Sequence, residues 1–226
     1  MKILIMLLIP FIASAQVIKR APLYTPPAVT APPSTTTVYD TIDANTRDAY
    51  TYGSLDETLN YLWDAEQQIF LGNPDGNLER TGFQFQLNIA QGKTIDSAFV
   101  IFHSGASIFG TPTTDSVYFR VFDLDNAPVF VEAHAHDMAT HGTTSATQIG
   151  WAPSSWTTST TYTSPNLKAL VQIPISRAGW VANNYICIWF DPAISCCWAS
   201  GDEVGISDFQ SGTTANFARI RVVYQN

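Results

Sequence analysis

Four short stretches of this 226-residue chain carry residues able to do chemistry. The first is Asp123-Leu124-Asp125-Asn126, with three oxygen-bearing side chains in four positions. Such a run can hold a structural Ca²⁺ with help from backbone carbonyls, or form an Asx-type turn in which the side chains accept local N–H groups. The second is His134-Ala135-His136-Asp137, with His141 following. On a strand, two histidines with a single residue between them point the same way, and Asp137 or His141 would complete a tetrahedral Zn²⁺ set. A polar, solvated loop is the alternative there, and the sequence favours it over a metal site.

Cys187, Cys196 and Cys197 form the third group. A bridge from Cys187 to either neighbour would close a loop of about ten residues and stabilise by roughly 2–4 kcal/mol. A vicinal Cys196–Cys197 bond, an intermolecular bond and fully reduced thiols are the other arrangements. The fourth group is aromatic: Trp151, Trp156 and Tyr162 lie in or beside a Thr- and Ser-rich stretch, and Trp198 follows the cysteine pair. Sugar rings stack their C–H faces on such side chains while their hydroxyls seek polar partners, so these four are candidate glycan contacts. Trp180 and Trp189 read as core residues. No nucleophile elbow, Cys–His signature, P-loop or dinucleotide fingerprint is present in the sequence. Asp123, Asp125 and Glu132 are the carboxylates to test first for glycoside hydrolysis, but the reading is a non-enzyme.

Composition limits the partners. Charged residues make up 13% of the chain, with 11 Lys and Arg against 19 Asp and Glu. So few basic residues cannot build the stripe that phosphate neutralisation needs, which argues against nucleic acid and anionic membrane surfaces. Hydrophobic residues at 46% and aromatics at 12% are ample for a core.

The elements that must position these groups follow from the pattern. Residues 1–15 read as a secretory signal peptide, with Lys2, an apolar run and Ala13-Ser14-Ala15, too short to span a membrane. Its removal implies a secreted protein, with 10 basic and 19 acidic residues left. Residues 16–37, with Pro22, Pro26, Pro27, Pro32 and Pro33, read as an extended linker or arm. Its β-prone end, Thr35 to Tyr39, could add as a strand to a neighbouring subunit. Residues 38–226 form the domain.

Phe83, Phe85, Leu87 and Ile89 alternate with polar residues, and Val117, Phe119 and Val121 alternate with Tyr118, Arg120 and Phe122. Period two over 83–89, 95–102, 117–122, 185–190 and 218–224, with little helical periodicity, predicts an all-β antiparallel sandwich. One short helix is expected over 166–173, with Ser164-Pro165 as N-cap and first-turn proline and with Pro174 straining or ending it. A second could occupy 55–62.

Several runs carry a family resemblance: Gly82-Phe83-Gln84-Phe85, Ile95-Asp96-Ser97-Ala98-Phe99-Val100, Asp123 to Pro128, Ser164-Pro165-Asn166-Leu167 through Arg177-Ala178-Gly179-Trp180, and Arg219 to Tyr224. In this order they resemble a jelly-roll β-sandwich domain of secreted and phage-associated proteins, related to DNRLRE-type carbohydrate-binding-like modules. The similarity covers residues 67–224, and its most specific piece is Gly179-Trp180 followed by Asn183-Asn184. It implies a non-catalytic module for attachment or glycan binding, and places the Asp123 run, with its Ca²⁺ reading, at a strand end. Pro174 and Ser195-Cys196-Cys197-Trp198 depart from the pattern. The expected function is therefore glycan binding; self-association into an extracellular or virion-associated assembly through the arm is the alternative.

Overall fold

The computed structural model describes residues 32–44, 46–52, 59–61, 68–73, 76, 78–112, 116–130, 143–153, 155–192, 198–207, 209 and 214–226. The expected signal peptide and most of the expected proline-rich arm lie outside them. The described strands are β1 (Thr35–Thr41), β2 (Asp48–Tyr52), β3 (Leu59–Tyr61), β4 (Gln68–Asn73), β5 (Glu79–Leu87) and β6 (Ile95–Phe109). They continue with β7 (Val117–Val121), β8 (Ile149–Trp151), β9 (Thr161–Thr163), β10 (Asn184–Pro192), β11 (Asp202–Ser207) and β12 (Arg219–Gln225), and α1 (Lys168–Ser176) precedes β10. Pairing is antiparallel along the path β1-β12-β6-β11-β4-β5-β10-β7-β8, so the all-β, sandwich-like expectation holds. β6 turns the corner of the fold: its first part pairs with β12 from Ile95 to Ile101, and its second with β11 from Ser104 to Phe109.

Alternation decides the core. Val117, Phe119 and Val121 of β7 are fully buried while Tyr118 and Arg120 between them are half-buried, as period two requires. Across the sheet, Phe119 faces Phe190, and Phe190 meets Phe83, Phe102 and Phe119 at ring-centroid distances of 5.2, 5.2 and 4.6 Å, all edge-on. These rings sit at the centre of the main core. In β5 the expected polar face is only partly solvent-exposed: Gln86 is exposed, but Gln84 is fully buried and its amide donates to the Pro128 carbonyl. The reason is a second, smaller core on the outer face of β5, β10 and β7. There Ala49, Phe122, Ala127, Phe130, Cys187 and Trp189 pack together.

The helix differs from expectation at both ends. It starts at Lys168, not Asn166, and Ser164 is not its cap: the Val100 N–H donates to the Ser164 hydroxyl at 3.0 Å, tying the segment to β6. Asn166 Oδ1 accepts from the N–H of Lys168 and of Ala98. Pro174 lies inside the helix, buried, and the helix ends at Ser176. A proline there costs one hydrogen bond of the last turn, since it has no N–H to donate. The possible helix at 55–62 gives way at Leu59–Tyr61 to β3, paired with β2; the rest of that span lies outside the described residues. The expected arm also yields earlier than 38, because Thr35 already begins β1, and β1 pairs within its own chain to β12.

A buried glutamine locks β4 against β6 and β11. Gln68 Oε1 accepts from the Ser107 N–H at 3.1 Å, and Nε2 donates to Ser107 Oγ at 3.2 Å. That side chain occupies the space a Cβ would need at Gly105 and Gly205, 1.9 and 2.2 Å from Gln68 Oε1. Gly105→Ala should cost about 1–3 kcal/mol, the range for overpacking a filled site. Because the cost arises from displacing Gln68, Gly105→Ala combined with Gln68→Ala should destabilise by clearly less than the sum of the two single variants. Urea unfolding of the three proteins measures this, and additive losses would contradict it.

Candidate functional site

The four aromatic candidates come together, though not as an exposed platform. β8 is at one end of the strand path and pairs with β7, setting Trp151 opposite Val117; β9 lies against β6, setting Tyr162 opposite Phe102. Trp151 and Tyr162 thus reach each other from different strand ladders, their ring centroids 6.0 Å apart and their planes at 71°. Trp156 packs against both, at 5.6 Å from Trp151 and 5.0 Å from Tyr162, and Trp198 lies behind it at 6.4 Å. Phe102 joins this group to the core, 6.0 Å from Trp151 and 5.8 Å from Tyr162.

Burial divides the four. Trp156 and Trp198 are 5% and 4% exposed, so the expectation that they offer a ring to a ligand is corrected. Trp198 is further fixed by its indole N–H, which donates to the Ser116 carbonyl at 2.7 Å. Thr- and Ser-rich surroundings suggested solvent, yet the ring of Trp156 fills the gap between β8 and β9. Trp151 and Tyr162 are half-buried, each keeping part of its surface accessible.

The turn from Trp156 to Tyr162 is held rigidly. The Tyr162 hydroxyl donates to the Ser155 carbonyl at 3.0 Å and accepts from the Thr157 N–H at 2.7 Å. Ser104 of β6 anchors the turn's base: its Oγ donates to the Thr157 carbonyl at 2.5 Å and accepts from the Thr160 N–H at 3.0 Å. Ser159 takes a left-handed conformation, φ 52°, at the tip. Ser155, Thr157, Thr158 and Ser159 are exposed. The result is two half-buried aromatic residues beside a braced turn that carries exposed hydroxyl-bearing residues. Ser104 and Phe102, which make this possible, carried no local signal; only pairing in space identifies them.

The Asp123 run is engaged elsewhere. Arg177, just past α1, donates from Nη1 to Asp123 Oδ1 and from Nε to Asp125 Oδ1, both at 2.6 Å. These bonds, to Asp125 first and Asp123 second, hold the guanidinium further above its usual range. Asn126 Oδ1 accepts from the Tyr185 N–H at 2.7 Å, and the Asp125 carbonyl accepts from Asn184 Nδ2 at 2.9 Å. Gly179 allows this approach, since a Cβ there would sit 2.2 Å from Asp125 Oδ2. The Ca²⁺ reading of Asp123, Asp125 and Asn126 is therefore replaced: an arginine already supplies the positive charge, and the run staples the α1–β10 junction to the end of β7. Two of the runs that carry the family resemblance, around Asp123 and around Gly179, thus meet in space. No group of three or more metal-ligating side chains occurs among the described residues. His134, His136, Asp137, His141 and Glu132 lie outside them.

Cys187 is a free thiol, fully buried against Phe122 and Trp189 in the smaller core, so the expected bridge from it does not form. Cys196 and Cys197 lie outside the described residues. Burial raises the Cys187 thiol well above its usual range, and such a thiol is inert. A maleimide should leave Cys187 unmodified in the folded protein and label it after denaturation, read by peptide mass mapping; labelling in native buffer would contradict its placement. An unanticipated ion-pair network lies on the outer sheet face: Arg80 Nε bonds Asp191 Oδ1 at 2.8 Å, with Arg120 Nε 3.6 Å from Oδ2. The three residues come from β5, β10 and β7, so no sequence spacing announces them.

No protein-family model matches the chain, and none of the curated proteins matches it in sequence. No described helix is long and apolar enough to cross a membrane.

Proposed function

We propose that this is a secreted, non-catalytic β-sandwich of jelly-roll type that binds neutral glycans at the Trp151–Tyr162 edge. The observation that carries the reading is the juxtaposition of two braced, half-buried rings with the exposed hydroxyl residues Ser155, Thr157, Thr158 and Ser159. Ring faces suit the C–H surface of a pyranose, and hydroxyl and backbone groups suit its hydroxyls. Charge supports uncharged ligands, since only 13% of residues are charged and none of the residues named at this edge is.

The test is a screen of soluble neutral polysaccharides by affinity electrophoresis and calorimetry. A bound glycan should keep its affinity within about twofold between 50 and 500 mM NaCl, because no exposed ion pair is made for salt to screen. Binding only to anionic polymers, weakening steeply with salt, would overturn the reading. So would cleavage of the polysaccharide.

A further inference from the structure

β1 is held to the domain largely through its backbone. Thr35–Thr41 runs in unbroken register with β12, from Thr35 opposite Gln225 to Thr41 opposite Arg219, yet its side chains alternate between exposed and half-buried and none is buried. Among the described hydrophobic side chains of β1, Val38 packs against the main core cluster. The first buried side chain is Ile42, immediately after the strand, at 2% exposure. β12 is the opposite case, with Ile220 and Val222 fully buried and a second ladder to β6.

β1 also ends the strand path, so lifting it breaks no other ladder. Its remaining ties are polar: Asp40 Oδ2 accepts from the Gln86 N–H at 2.6 Å, and Thr36 and Ser34 bond Asn226. Nothing in these contacts distinguishes a chain's own β1 from that of an identical chain. We infer that the β12 edge accepts β1 from a second copy of this protein, the strand swinging about Asp43 and Ala44, just after the buried Ile42. Two copies that trade strands close a dimer, and copies that pass the strand onward build a longer chain. The exchange involves none of the residues of the Trp151–Tyr162 edge, so it stands or falls independently of glycan binding.

Register supplies the test. The Asn226 N–H donates to the Ser34 carbonyl and the Ile42 N–H to the Ala218 carbonyl, which makes Thr37 and Val223 a non-hydrogen-bonded pair. Such pairs bring Cβ atoms closest and accept a disulfide. Full-length Thr37→Cys and Val223→Cys proteins are mixed at high concentration in reductant, warmed, diluted and oxidised. Exchange predicts several-fold more covalent dimer from the mixture than from either variant alone, the single variants reporting any bonding through the native cysteines. The double variant, oxidised while dilute, should close within one chain and then fail to enter larger species on size exclusion. If it closes in this way but the mixture gives no excess dimer, the strand stays with its own chain and the inference is overturned. Failure of the double variant to close would remove the β1–β12 register itself and overturn it equally.

Discussion

Trp156→Ala is expected to destabilise the protein by about 3–5 kcal/mol, the cost of truncating a buried aromatic. The ring is 5% exposed and touches Trp151, Tyr162, Phe102 and Trp198, so its loss opens a cavity where β8 and β9 converge. Neighbours cannot readily collapse into that space. Tyr162 is tied through its hydroxyl to Ser155 and Thr157, and Trp198 through its indole to Ser116. Urea unfolding measures the loss, and Trp156→Phe should recover a substantial part of it. A loss below about 1 kcal/mol would place Trp156 at the surface, since substitutions there usually stay within about half that value.

Trp151→Ala should have its largest effect on the ligand. Removing a stacking ring from a glycan contact is expected to reduce affinity about tenfold or more, equivalent to about 1.4 kcal/mol per tenfold. Trp151 also packs on Phe102 and Phe119, so some stability is lost with it. Trp151→Phe separates the two effects: the smaller ring retains much of the packing but offers less stacking surface, so affinity should fall more than stability. Calorimetric titration with a bound polysaccharide, at a temperature where each variant is folded, gives the comparison. Unchanged affinity in Trp151→Ala would exclude this ring from the contact.

The contrast between the two tryptophans marks where the sequence stops being legible. Strands whose burial follows local alternation were readable, as Val117 to Val121 illustrates, because period two is a property of neighbouring residues. Burial imposed from a distance was not. Gln84 reads as a solvent-facing residue, yet residues 122–130 cover it, and Trp156 reads as a loop aromatic although two sheet edges meet over it. The same limit explains the Asp123 run. Its oxygens suggest a cation, and one is present, but it is the side chain of Arg177 arriving from 54 positions away. β1 was legible as a β-prone stretch, but its partner was not: with no buried side chain it leaves no hydrophobic period to tie it to β12 of its own chain. Of the candidate site, residue types and the stretch 151–162 were evident in advance; which rings remain accessible depended on packing.

The central claim is that Trp151 and Tyr162 meet the ligand while Trp156 and Trp198 lie behind them. Indole N–H resonances of the six tryptophans, assigned with single Trp→Phe variants and followed as a soluble neutral glycan is titrated, test it most directly. The Trp151 signal should move most, with those of Trp156 and Trp198 shifting little. Larger movement at Trp180 or Trp189, with Trp151 unmoved, would contradict the account and place the ligand elsewhere on the sandwich.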